Sequence, residues 1–545
     1  GIRDRSPSRG LGDVYKRQVE EGAKILKKGG NAVDAAIVCA MVQGVVDPHM
    51  CGIGGYLIAN GSFSDNPETG RSNIVDAPAV AGARVSDEMW EDQVIRPNPD
   101  GWGFFLKGQV NDIGYQSMCV PGAVRGLDSL LRERGTISWS EALKPAIRIA
   151  REGFVVGTTL SDLWKARRKY PEEVSFLDRI QFNAESRRIY FHAEGRPYEP
   201  GEQIQNPDYA RTLQRLADEG PDSFYEGLLA EEIISDVTAG GSFLTAQDLA
   251  DYQLREVEPV VVPYRGYSVS TSPPPHGGLT LAAILRILEG YDLASYDHNS
   301  ADYIYLFSMA MKADFADRNQ QHGDPQFISV PAKSLVDAER MSYWRSLIDS
   351  GSPIETGLAD SDSPHTTHVC AADDKGNYLS LTHSLGMSSG VITPGLGFMY
   401  NNSMVNFHPY SGHANSIHPG KGRTTGMTPT IVYKDGCPEI VIGAPGATKI
   451  ITAVAQVLVN VIDFGMTMEQ AVFAPRFNCQ GDRIECHARI PEYVCAEVRK
   501  RHPIERLPDS YGALALVHGI AVDPDTGKLE GAADPGADGM ALSVC

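Results

Sequence analysis

SPHTTHVCAADDKGNYLSLTHS, residues 363–384, holds two adjacent threonines, a cluster of turn residues and a second run of hydroxyl side chains. Side chains alternate across a strand, so Thr366, His368 and Cys370 share one face while Thr367 and Val369 share the other. Asp373-Asp374-Lys375-Gly376-Asn377 supplies the turn, and YLSLTHS reads as the returning strand. A turn centred near Lys375 sets Ser384 opposite Thr366 and Thr382 opposite His368. Hydroxyls then converge on the first threonine.

A threonine hydroxyl is a weak nucleophile at neutral pH and needs a base beside it. An N-terminal threonine carries that base as its own amine, whose reference pKa of about 7.7–8.0 leaves a neutral fraction near pH 7. In an uncut chain the same nitrogen is an amide and accepts no proton. Cleavage between His365 and Thr366 would create the catalyst, and the polar stretch GLADSDSPH just before it has loop composition. Thr382 and Ser384 are the expected supports of the Thr366 amine and hydroxyl.

The surrounding chain has 545 residues, 42% hydrophobic and 22% charged, as ordinary globular proteins do. A formal charge of −20 without a basic run argues against nucleic acid as a partner. Nine cysteines without a CxxC pair give neither a disulfide scaffold nor a standard zinc pattern, so no metal or cofactor is expected. The longest apolar stretches, around Ala32 to Val46 and Ile450 to Phe464, are broken by polar residues and read as buried helices rather than membrane spans. Residues 1–18, GIRDRSPSRGLGDVYKRQ, have no apolar core and resemble a translated adapter sequence; they are expected to be a non-native leader, which leaves the compartment open.

Helix signals dominate the first two thirds. Gly29-Gly30 ends one helix and Asn31 caps the next; Ser138 with Glu141 forms a capping box; Asn206-Pro207 opens another. LTLAAILRILEG and SADYIYLFSMAMKADFADR follow. Short strands take over near residue 366 and helices return near 450, the pattern of a layered protein with helices outside sheet.

KGGNAVDAA (28–36), VPGAVRGLDSL (120–130), SPPPHGGLTL (272–281), FADRNQQHGDP (315–325), TTHVCAADDKGN (366–377), NNSMVNF (401–407), MTPTIV (427–432) and GAPGATKIITAVAQVLVNVIDFG (443–465) together resemble the blocks of the γ-glutamyltranspeptidase family of N-terminal-nucleophile hydrolases, in its order. The resemblance runs from about residue 19 to the C-terminus. It implies a four-layer αββα sandwich built jointly by a large-subunit region, 19–365, and a small-subunit region, 366–545, released by autoproteolysis. It also implies Thr366 as nucleophile, with Thr382 and Ser384 assisting, and an oxyanion hole at Gly446 and Ala447. γ-Glutamyl amides such as glutathione would be the acyl donors, and water or an amino acid the acceptor. Relatives are often periplasmic or extracellular.

The departures bear on the substrate. Substrate-binding positions of the family fall on Ser403, Asn406, Thr425 and Gly426. Asn406 stands where an acid usually holds the α-amine, Ser403 replaces a longer polar residue, and Thr425-Gly426 keeps one hydroxyl of a serine pair. No arginine precedes Pro78, where one usually holds the α-carboxylate. A zwitterionic head group is held best by paired opposite charges, so an amidase with a non-glutamyl donor is the alternative. HPYSGHANSIHPG, between Phe407 and Lys421, is shorter than the family's lid region. Gly386-Met387-Ser388-Ser389-Gly390 also matches the GxSxG elbow of serine hydrolases, but the following VITPGLGF argues against the helix an elbow requires. A third reading is an unprocessed relative without enzymatic activity.

Overall fold

The computed structural model describes residues 9–13, 16–64, 73–99, 103–357 and 366–544. His365 and the polar stretch just before it lie outside the described residues. Two six-stranded antiparallel sheets form the centre. The first runs Met540–Val544, Arg9–Asp13, Thr367–Ala372, Tyr378–Ser384, Tyr56–Ser62, Asn73–Ala77. The second runs Leu529–Ala533, His518–Val522, Cys437–Gly443, Thr430–Lys434, Tyr267–Thr271, Val260–Tyr264. Each sheet takes strands from both sides of residue 366. Arg9–Asp13, from the stretch read as a leader, pairs with Thr367–Ala372 and Met540–Val544.

The sheets pack face to face, and the hairpin shows why. Ser380 Oγ donates to Ile442 O at 2.9 Å and Cys370 Sγ approaches Val441 O at 3.6 Å, so the hydroxyl-bearing face looks at the second sheet. Val369, Ala371, Leu379 and Leu381 point the other way, into the core beneath the helices. Helices Lys16–Lys27, Ala32–Val46 and Ala123–Arg134 lie over the first sheet; Gly278–Leu288 and Lys449–Ile462 lie over the second. The result is a four-layer αββα sandwich.

Local signals explain the helix boundaries. Asn31 accepts from Asp34 N while Asp34 reaches back to the Asn31 backbone, and the helix runs to Val46 with every residue buried. Its N-terminus is also a tertiary anchor. Asp34 accepts from Thr136 N at 2.7 Å, Thr136 Oγ1 at 2.5 Å and Ile137 N at 3.2 Å. Ser138 and Glu141 form the expected capping box, and Pro207–Glu219 starts behind Asn206. Ser300 caps Ala301–Gln321. Among the described residues no helix is long and apolar enough to cross a membrane.

Because Asp34 is fully buried and terminates several donors at once, Asp34→Ala strands them without partners. The expected loss is about 2–4 kcal/mol of stability, checked by chemical denaturation against an exposed control such as Asp87→Ala.

Candidate active site

The hairpin register is the expected one: Thr367 pairs with His383 and His368 with Thr382. Thr366 immediately precedes the strand, buried at 6% exposure, and its Oγ1 lies 3.2 Å from Ser384 Oγ. Ser384 Oγ in turn accepts from Gly386 N at 2.8 Å. Ser384 is thus held from one side by the turn that follows it and meets Thr366 on the other.

Thr382 lies opposite His368, as the register requires. Its hydroxyl contacts His368 Nδ1 at 2.9 Å, while His368 Nε2 faces Cys370 Sγ at 3.2 Å and Ser380 Oγ at 3.4 Å. Burial, reinforced by His518 and His383, pushes the His368 pKa well below its usual value, so the ring is neutral. The close approach of His368 also demands a glycine opposite, since a Cβ on Gly443 would overlap the ring. Thr382 therefore supports the strand beneath Ser384, through a buried polar network between the sheets.

Gly446 and Ala447 share a cavity of ≈ 810 Å³ with Thr366; Met387, Phe104 and Tyr511 also line it. Gly446 has φ +135°, and a Cβ there would lie 2.6 Å from Ala515 Cβ, so both backbone and packing require glycine. Ala447 adopts φ +60°, a left-handed conformation that costs a β-carbon-bearing residue about 1–2 kcal/mol. Strain of this kind clusters at functional sites. The turn leads directly into helix Lys449–Ile462, whose N-terminal end carries partial positive charge.

The expected substrate positions do not line that cavity. Ser403 is fully buried and its hydroxyl has no hydrogen-bond partner among the described residues. Asn406 is also buried, and its carbonyl accepts from Asn415 Nδ2 at 2.7 Å. Gly426 packs so closely on Ala447 that a Cβ would overlap its carbonyl oxygen. Thr425 Oγ1 lies 2.8 Å from His276 Nδ1. The segment after Phe407 folds on itself, with His408 and His413 stacked at 4.1 Å and Lys421 Nζ donating to Ala414 O and Ser416 O.

Three residues near this site carried no local sequence signal. Asp76 occupies the stretch that lacks the expected arginine and contacts His276 Nε2 at 3.0 Å. Arg423 sits over the Tyr56 ring at 4.6 Å and donates Nη1 to Thr424 O at 2.8 Å. Burial pulls its pKa down to about 9, which leaves it charged at neutral pH.

Ser388 does not form a nucleophile elbow. Its φ is +67°, but it is fully buried, no helix follows before residue 403, and its carbonyl is pinned by Arg179 Nη1 at 2.6 Å. Cys486 Sγ lies 3.7 Å from Cys495 Sγ, and Cys479 Sγ 3.9 Å from His502 Nε2.

The Gamma-glutamyltranspeptidase family model matches residues 19–544. The chain belongs to that family. It is 35% identical over 532 residues to the Acylase ACY 1 proenzyme of Pseudomonas sp. (strain SE83), covering 96% of this chain and 91% of that one. It is 32% identical to the Glutathione hydrolase proenzyme of Escherichia coli (strain K12), covering 96% and 90%. Among solved structures, the cephalosporin acylase from Bacillus halodurans aligns with TM-score 0.85 at 28% identity, covering 99% of this chain and 97% of that one. The fold is that of the N-terminal-nucleophile hydrolases in this family. Acylases and glutathione hydrolases flank the chain at comparable identity.

The two turn residues carry opposite expectations. Gly446→Ala meets Ala515 and displaces the turn; if the turn forms the oxyanion hole that the resemblance implies, kcat is expected to fall by at least about 100-fold. Ala447→Gly relieves the left-handed strain while adding unfolded-chain freedom, so stability is expected within about 1 kcal/mol of wild type, with activity retained. Steady-state kinetics and thermal melting check both.

Proposed function

We propose that this chain is an amide hydrolase and acyltransferase whose nucleophile is Thr366, exposed by autoproteolysis between His365 and Thr366. The observation that carries this reading is that Thr366, whose hydroxyl meets Ser384 at 3.2 Å, shares one cavity with the Gly446-Ala447 turn. Proenzyme is also the word in the names of the acylase and hydrolase relatives, which supports two subunits cut from one precursor.

In the proposed mechanism, the freed Thr366 amine takes the hydroxyl proton as Oγ1 attacks the amide carbonyl. Ser384 holds that hydroxyl, with Thr382 supporting its strand from behind. The developing oxyanion meets the backbone N–H groups of Gly446 and Ala447 beside a helix N-terminus. The amine then passes its proton to the leaving nitrogen, and water or an amino acid resolves the ester.

γ-Glutamyl amides, glutathione among them, are the first choice of donor. Tyr56 pairs with Ser384 and so shares the face of Thr366. Arg423, above Tyr56, therefore stands roughly two strand spacings, about 10 Å, from the nucleophile. A five-carbon acyl chain reaches about 5 Å from carbonyl to carboxylate carbon, and an ion pair adds about 4 Å. Arg423, which lies behind the cavity lining rather than in it, is the candidate for the cation that the stretch before Pro78 lacks. Asn406 favours a second reading, because an amide meets an ammonium less strongly than an acid does: a glutaryl-type acylase, whose donor has the distal carboxylate and no α-amine.

Thr366→Ala is expected to leave a single uncut chain without turnover, while Ser388→Ala stays within about twofold of wild type because a residue outside the reaction contributes no transition-state binding. Gel electrophoresis and a panel of γ-glutamyl, glutaryl and aliphatic p-nitroanilides check both. Turnover of aliphatic anilides alone would overturn the donor assignment and leave the nucleophile standing. Full activity of Thr366→Ala would overturn the whole reading.

A further inference from the structure

Three buried side chains, distant in sequence, form one hydrogen-bonded line: Asp76 Oδ1 to His276 Nε2 at 3.0 Å, and His276 Nδ1 to Thr425 Oγ1 at 2.8 Å. Asp76 and His276 are each 1% exposed and Thr425 3%. A carboxylate only accepts, so Nε2 carries the hydrogen that faces Asp76. The ring's other nitrogen, Nδ1, meets the Thr425 hydroxyl. The Thr425 oxygen also accepts from Met427 N at 3.1 Å, so the line runs on from the Thr425 hydroxyl to the Met427 amide.

Its far end abuts the proposed oxyanion turn. Thr425 N donates to Pro275 O at 3.1 Å, Gly277 N to Met427 O at 3.1 Å, and Arg318 Nη2 to Thr425 O at 2.9 Å. The backbone of 425–427 is thus clamped along the 275–277 loop. Gly426, between the clamped residues, packs directly on the Ala447 carbonyl. Displacing Thr425 would move the surface on which Ala447 rests.

Residues in an Asp–His–Thr line invite comparison with a hydrolytic triad. Thr425 does not line the cavity that holds Thr366, and its oxygen is already engaged by the ring and by an amide. The line is therefore aimed at a backbone segment rather than at a substrate carbonyl.

We infer that Asp76 and His276 are positioning residues that act through Thr425 to seat the Gly446-Ala447 turn for acyl transfer. This rests on the function proposed above. A positioning role lowers kcat and leaves ground-state binding alone.

The test uses the processed enzyme, the best p-nitroanilide donor and four variants. His276→Gln can still reach Asp76 but has no atom at the Nδ1 position; His276→Asn can still reach Thr425 but not Asp76. Thr425→Val removes the hydroxyl at nearly constant shape, and Thr425→Ser restores it. Misplacing a reacting group costs on the order of 100-fold, so His276→Gln and Thr425→Val are expected to lower kcat by about 10- to 100-fold with KM within about twofold. His276→Asn should lose less, and Thr425→Ser should recover to within about threefold. The combined His276→Gln, Thr425→Val enzyme should be no slower than the worse single variant, because both break the same line.

Additive losses, a raised KM at unchanged kcat, or wild-type kcat in Thr425→Val would each overturn the inference. If His276→Gln fails to fold, the Thr425→Val and Thr425→Ser pair decides. Thr366→Ala separates the two layers: an inactive Thr366→Ala beside unaffected Thr425→Val rejects the positioning line alone, whereas an active Thr366→Ala rejects the nucleophile reading beneath it.

Discussion

The contact between Thr366 Oγ1 and Ser384 Oγ, 3.2 Å across two neighbouring strands, is the constraint on which the site depends. It exists only if the hairpin holds its register, since a one-residue slip would turn every hydroxyl on this face toward the helices. The register is secured twice. Asp373 accepts from Lys375 N and Asn377 N at the turn, and the inner face crosses to the second sheet through Ser380 and Cys370.

That crossing gives the two sheets separate duties. The first presents the threonine and its supporting hydroxyls. The second delivers the Gly446-Ala447 turn at the end of Cys437–Gly443, where the chain passes into helix Lys449–Ile462. Because each sheet mixes strands from before and after residue 366, a cut ahead of Thr366 would leave two chains sharing one core. The turn lies where the two sheets' contributions meet, with Ala515 packed against Gly446 and Gly426 against the left-handed Ala447.

Much of this was legible in the sequence, and for local reasons. Caps such as Asn31 and Ser138 act within four residues, and a turn of five polar residues dictates what lies opposite what. The partner of Thr382 was equally readable, since the same register puts it opposite His368. Strand Tyr56–Ser62 escaped notice because burial on both faces erases the alternation that marks a strand. Asp76, His276 and Thr425 lie some 150 residues or more apart, and no periodicity links them. The family resemblance located Thr425 but not what holds it.

The family is established by sequence and fold, while the reacting atom is a proposal, so the most direct measurement is to trap the acyl-enzyme. A processed sample mixed with a p-nitroanilide donor and quenched in acid within the first turnover is digested and mapped by tandem mass spectrometry. The account predicts a peptide that begins at Thr366 and carries the acyl mass on that residue. An acyl group on Ser388 or any other side chain, or on Thr366 within an uncut chain, would contradict it.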